Sequence, residues 1–191
     1  VEAHKRLKDH LDIDSIKIGI GGSMGGQQLL EWAVQEPDFF ETIVPIATNA
    51  KHSAWGIAFN EAQRMALKSA SDVNEGLEAA RAIAMLSYRN QDTYNATQSD
   101  EDDRVDEFSA SSYQQYQGTK LRERFSPYSY YYLSKAMDSQ NVGIGRNGIA
   151  NALSQINAKA VVIGIETDIL FPLGEQEVIY NYIPNAVFYP I

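Results

Sequence analysis

The sequence predicts an α/β protein: a parallel sheet with flanking helices, interrupted by one long helical insert. Three observations carry that prediction. Short apolar, β-branched runs stand at residues 16–20, 42–47 and 160–165. Helical patterns follow the first run and precede the last, which is the alternation of a parallel sheet. Between the second and third runs, residues 48–159 show no clear strand and read mainly as helix.

Taken in order, residues 1–10 form a helix with Ala3, Leu7 and Leu11 along one side. The first strand, 16–20, leads into a helix over 27–35 that Pro37 stops. The strand at 42–47 contains Pro45, which removes a ladder donor. Inside the insert, Trp55, Ala58, Phe59, Ala62 and Ala66 recur at helical spacing. A second helix spans 75–88 with Leu77, Ala80, Ala84 and Leu86 or Tyr88 inward, and Asp72 with Glu75 has the form of a capping box. Asp100-Glu101-Asp102-Asp103 reads as a solvated loop or helix start. Tyr113, Tyr116, Tyr128, Tyr130, Tyr131 and Tyr132 read as packing in a cap or at an interface, with ligand stacking as their other use. Residues 143–148 form a flexible loop; with no strand before it, its glycines are not a dinucleotide fingerprint. Ile149, Leu153 and Ile156 mark a helix, and residues 186–191 a final strand. The expected division is a sheet core of residues 1–47 and 160–191 with a helical insert over 48–159.

The 191 residues, 44% of them hydrophobic, suffice for one good-sized core. Twenty-five acidic against 16 basic residues give a net charge of −9, which disfavours a nucleic-acid surface. The chain has no cysteine, so it carries no disulfide framework or thiolate chemistry. No apolar run approaches the roughly 20 residues of a membrane span, and residues 1–6 lack an apolar signal core. A cytoplasmic protein with no membrane or nucleic-acid partner, no metal and no permanently bound cofactor is expected. The chain starts at Val1 without early strands, and nothing follows the strand at 186–191, so a larger enzyme around it is expected.

The stretch with most chemical content is Gly21-Gly22-Ser23-Met24-Gly25-Gly26, between a strand and a helix. Gly-x-Ser-x-Gly in that setting fits a nucleophile elbow, a sharp turn that lifts a serine hydroxyl to the top of a sheet. Small neighbours are needed because strand and helix pass close to the serine. The Met24 N–H lies next along the chain, where it can meet an acyl-transfer oxyanion beside the positive end of a helix. The other reading of such a stretch is a glycine-rich turn that cradles a phosphate.

A serine nucleophile needs a base and an orienting acid, in the chain order Ser, Asp or Glu, His for this elbow. Asp168 follows the strand at 160–165 and fits the acid; Glu166 competes, and either is also readable as a loop or helix cap. Of His4, His10 and His52, none follows Asp168. His52 is the one readable as a base within this chain, against the expected order. The simpler expectation is a histidine beyond Ile191.

These residues resemble a known family. Gly21-Gly22-Ser23-Met24-Gly25-Gly26 with Leu30-Glu31-Trp32-Ala33 is similar to the elbow of homoserine O-acetyltransferases, members of the α/β-hydrolase superfamily. Residues 45–55, 59–64, 80–89 and 124–133 continue the likeness in order, and Asp168-Ile169-Leu170-Phe171-Pro172 resembles the family's acid-bearing segment. The polar stretch after Arg64 is shorter than is usual there. The resemblance implies a partial α/β-hydrolase fold whose helical lid also forms a homodimer. It implies acetyl transfer from acetyl-CoA, a co-substrate, to L-homoserine in methionine biosynthesis. It gives Ser23 the nucleophile's part, Asp168 the triad acid's, Met24 the oxyanion donor's and Arg64 that of the arginine holding the amino-acid substrate. Without it, Arg64 also reads as a surface or intramolecular salt bridge. The rivals are an acyltransferase using succinyl-CoA or serine, a plain esterase, and a folded piece that only dimerises.

Overall fold

A computed structural model describes all 191 residues, Val1–Ile191. In chain order its elements are α1 (Glu2–His10), β1 (Ile16–Gly22), α2 (Met24–Gln35), β2 (Phe40–Ile46), α3 (Ala54–Ser69), α4 (Val73–Tyr88), α5 (Gln91–Gln98), α6 (Ser109–Arg122), α7 (Pro127–Asp138), α8 (Ile149–Leu153), β3 (Lys159–Gly164), α9 (Leu173–Tyr182) and β4 (Ala186–Pro190). They fall into two compact units. One holds Val1–His52, Gln140–Thr167 and Phe171–Ile191; the other holds Ser53–Ser139 and Asp168–Leu170.

The first unit is a four-stranded, all-parallel sheet in the order β1-β2-β3-β4. Its core joins Ile43, Ala160 and Val162 of the strands to Leu29, Leu30, Ala33 and Val34 of α2, and Ile179 and Ile183 at α9. Burying one such leucine or isoleucine contributes about 1.5–3 kcal/mol. Pro45 lies inside β2 opposite Gly21, at a point where the register with β3 passes from Ile43 to Ile46. Within this chain β1 pairs with β2 alone, and Ile18 and Ile20 on it are exposed.

Four features of this unit depart from the sequence reading. α2 starts at Met24, three residues early, because the turn at Ser23 brings Gly25 and Gly26 into the first helical turn. α1 leaves Leu7 and Leu11 exposed; it docks through Lys5 and Lys8, both paired with Glu36, and through His4 stacked on Trp32. The loop at 143–148 is tied down, with Arg146 giving Glu31 two bonds of 2.9 and 2.7 Å and the Val142 carbonyl one of 2.8 Å. Finally, residues 140–159 belong with the sheet, because Val142, Ala152, Leu153, Ile156 and Ala158 are buried in its core. The Lys51–Asn141 bridge and the His52 N–H bond to the Gln140 carbonyl close that boundary.

The second unit packs α3, α4, α6 and α7 around Leu67, Leu77, Ala80 and Leu121, with Phe125, Tyr130 and Tyr131 against them. Asp72 caps α4 as expected, but its carboxylate accepts from the Asn74 N–H. Leu86 and Tyr88 are exposed, and Met85 and Ser87 are buried in their place. The buried face of α3 is also not the apolar one: Asn60, Gln63 and Arg64 point inward with Leu67, while Trp55 is exposed. Polar partners on α7 explain this. Asn60 donates to Asp138, and Tyr130 donates to Gln63. The tyrosines divide accordingly: Tyr130 and Tyr131 pack, while Tyr128 and Tyr132, one turn apart, face solvent.

Candidate active site

Parallel strands end at one rim, and ligands of such sheets bind there. Ser23 leaves β1 at that rim with φ 52° and ψ −123°. This is a left-handed backbone for a residue with a Cβ, a conformation that costs about 1–3 kcal/mol and persists only where its surroundings hold it. The Ser23 N–H donates to the Ile46 carbonyl at 2.9 Å, and its carbonyl accepts from the Gln27 N–H at 3.1 Å. Ser23 itself is half-buried, neither in the core nor fully in solvent.

The glycines around it do different things. A Cβ on Gly21 would stand 2.4 Å from the Gly25 carbonyl oxygen, so helix and strand meet there with no room for a side chain. A Cβ on Gly26 would stand 2.6 Å from Thr48 Cγ2. At Gly25 a Cβ would meet nothing within 4 Å. Met24 is the first residue of α2, where a backbone N–H has no partner inside the helix. The first turn of α2 carries no acidic residue to offset the positive helix end.

The segment after β2 reaches the same elbow. Thr48, 1% exposed, donates its hydroxyl to the Ser23 carbonyl at 2.7 Å. Asn49 accepts from the Gln27 amide at 2.9 Å and donates to Glu175 at 2.7 Å, joining α2 to α9. Sequence reasoning gave neither residue a task. Their position just past a strand end, on the rim that carries Ser23, was the available signal. His52, 2% exposed, packs its ring 5.8 Å from that of Phe171.

The stems of the loop after β3 are held by Gln176 on α9, a helix not expected from the sequence. Its amide donates to the Phe171 carbonyl at 2.6 Å and accepts from the Ile165 N–H at 3.3 Å. The tip of that loop, Asp168–Leu170, belongs to the helical unit. There Asp168 accepts from the Leu170 N–H at 2.8 Å, and the Trp55 indole donates to the Ile169 carbonyl at 2.6 Å. Asp168 is half-buried, whereas Glu166 is exposed.

Arg64 is 2% exposed and fully engaged within the helical unit. Its Nε donates to Glu61 at 2.7 Å, its Nη2 lies 2.6 Å from both Glu61 and Asp138, and its Nη1 donates to Ser134 at 3.1 Å. Burial opposes the charge, but the hydrogen bonds with Glu61 and Asp138 outweigh it, so its pKa lies above the usual arginine value. The same contact with Arg64 holds Glu61 below the ordinary carboxylate range. In this structure the arginine thus sits in an intramolecular ion-pair network, the alternative its sequence position allowed.

A family model of the alpha/beta hydrolase fold matches residues 1–189. A homoserine O-acetyltransferase of Cyclobacterium marinum is 46% identical over 191 residues, covering 96% of this chain and 54% of that protein. The chain therefore spans about half the length of the curated relatives it matches. Among solved structures, a homoserine O-acetyltransferase from Staphylococcus aureus superposes with a TM-score of 0.86 at 27% identity, over 100% of this chain and 55% of that one. An acetylester hydrolase from Corynebacterium glutamicum gives 0.82 at 21% identity, over 97% and 56%, a likeness of fold. No helix of this chain is long and apolar enough to cross a membrane. A parallel sheet, a serine on a strained strand-to-helix turn and the family match together place the chain in the α/β-hydrolase family.

Proposed function

We propose that the full-length protein is an acyltransferase that moves an acetyl group from acetyl-CoA to the hydroxyl of L-homoserine, a reaction of methionine biosynthesis. The observation that carries this reading is the positive-φ serine between β1 and α2, with a helix-end N–H beside it. The relatives named homoserine O-acetyltransferase support the choice of reaction.

In this mechanism the Ser23 hydroxyl attacks the thioester carbonyl while a base takes its proton. The Met24 N–H meets the oxyanion, and one such donor is worth about 2.7–4 kcal/mol. The C–S bond breaks, CoA leaves with the proton, and acetyl-Ser23 remains. The homoserine hydroxyl then attacks that ester and regenerates Ser23, a ping-pong cycle. The base is assigned to a histidine outside this chain, oriented by Asp168. Water must be kept from the acetyl-enzyme for transfer to win, and the resemblance gives that task to the helical insert. It also makes the insert a homodimer contact, a role that the exposed Tyr128, Tyr132 and Leu133 suit.

Arg64 is assigned the carboxylate of the amino acid, which a guanidinium pairs bidentately. In that role it must exchange Glu61 or Asp138 for the substrate.

The test is a set of parallel assays of the full-length protein with acetyl-CoA and succinyl-CoA, each with homoserine, serine or water as acceptor. Acetyl-CoA with homoserine should be fastest, and without an acceptor CoA release should stop near one turnover per site. Preference for succinyl-CoA, or fast hydrolysis of a simple ester unaffected by homoserine, overturns the reading.

A further inference from the structure

We infer that Thr48 is a positioning residue for the elbow: its hydroxyl holds the Ser23 carbonyl and thereby aims both the nucleophile and the Met24 N–H. The inference rests on reading Ser23 as the nucleophile. The strained backbone of Ser23 must be fixed from outside. Two of its restraints, to Ile46 and from Gln27, are backbone bonds at 2.9 and 3.1 Å. The third is shorter, 2.7 Å, and comes from the Thr48 side chain.

The geometry of the peptide bond gives this third restraint its effect. The Ser23 carbonyl and the Met24 N–H belong to one planar, trans peptide unit, so they point to opposite sides of it. Fixing the oxygen fixes the direction of the N–H. Thr48 thus grips one end of the peptide whose other end is the proposed oxyanion donor.

Thr48 is itself firmly placed. Ala47 turns the chain at φ 45°, and its N–H donates to the Ile163 carbonyl at 3.0 Å on β3. The Thr48 methyl occupies the space that Gly26 leaves open: a Cβ there would stand 2.6 Å from it. Hydroxyl and methyl therefore have separate tasks, orientation and packing, which substitution can separate.

The experiment is the rate of Ser23 phosphonylation by a serine-directed fluorophosphonate, in which the Ser23 oxygen displaces fluoride from phosphorus. It is measured on the full-length protein and on its Thr48→Val, Thr48→Ala and Thr48→Ser variants, with Ser23→Ala as the blank. Thr48→Val keeps the shape and loses the hydroxyl; its maximal labelling rate should fall about tenfold with probe binding unchanged, since oxyanion donors act only on the transition state. Thr48→Ala should fall equally whatever its melting temperature, and Thr48→Ser should stay within about twofold of the parent. A parent rate in Thr48→Val or Thr48→Ala overturns the inference. So does an equally slow Thr48→Ser, which would make the methyl the important group. A parent protein that is labelled at Ser23 but never acylated by acetyl-CoA overturns the transferase reading alone, because the labelling rates still decide the role of Thr48.

Discussion

At Gly21 the constraint on the elbow is a contact between backbones, so no rotamer change relieves it. A Cβ there would meet the carbonyl oxygen and carbon of Gly25 and the nitrogen of Gly26, all within 2.8 Å. Gly21→Ala should therefore cost about 1–3 kcal/mol of stability, the range for overpacking a tight site. Gly25→Ala, with open space around it, should cost nothing and gain up to about 1 kcal/mol from helix propensity. Urea unfolding of the two variants checks this, and equal losses would contradict the account. The five-residue pattern treats the two glycines alike, and only the packing tells them apart. Ser23 was legible because its chemical setting is local in sequence, a β-branched run before it and a helix after it. Thr48 was not, because its partner is a backbone carbonyl that no side-chain pattern marks.

At the scale of elements, the strands were legible to within two residues, since β-branched apolar runs encode them directly. The inward face of α3 was not, because Arg64 and Asn60 are buried by Asp138 and Ser134, far along the chain on α7. Hydrophobic spacing has no means of announcing a polar interface. The loop at 143–148 shows the same limit: its glycines suggest freedom, and Arg146 removes it by clamping Glu31 on α2. At Glu31 burial pushes the pKa up, but bonds from Arg146 and Gln35 outweigh it, and the carboxyl ends below its ordinary 4.5. A depressed carboxyl contributes stability above its unfolded pKa and loses it as pH falls through the folded value. Stability should therefore drop below about pH 4.5 in the parent. Glu31→Gln should be less stable at neutral pH by about 1–2 kcal/mol and show a shallower acid slope. Urea midpoints at neutral and acid pH measure both, and an unchanged slope would contradict the pairing.

At the scale of the molecule, the alternation of strands and helices revealed a parallel sheet and a long helical insert. The limits of the two units were less legible. Residues 140–159 look like part of the insert because they contain no strand before Lys159, yet their apolar side chains complete the core of the sheet. Likewise Asp168–Leu170 groups with the helices although it lies between β3 and α9, because Trp55 holds its backbone. The long-range pairs that draw these limits are not periodic, and periodicity is what a single sequence displays best. In the proposed mechanism one oxygen atom, Oγ of Ser23, carries the acyl group. The most direct test is to mix the full-length protein with acetyl-CoA and no acceptor, quench, digest and map the acetyl group by mass. One acetyl group should appear on the peptide bearing Ser23, none in Ser23→Ala, and it should be lost on adding homoserine. Acetylation at another residue, or transfer to homoserine at the parent rate by Ser23→Ala, would contradict it.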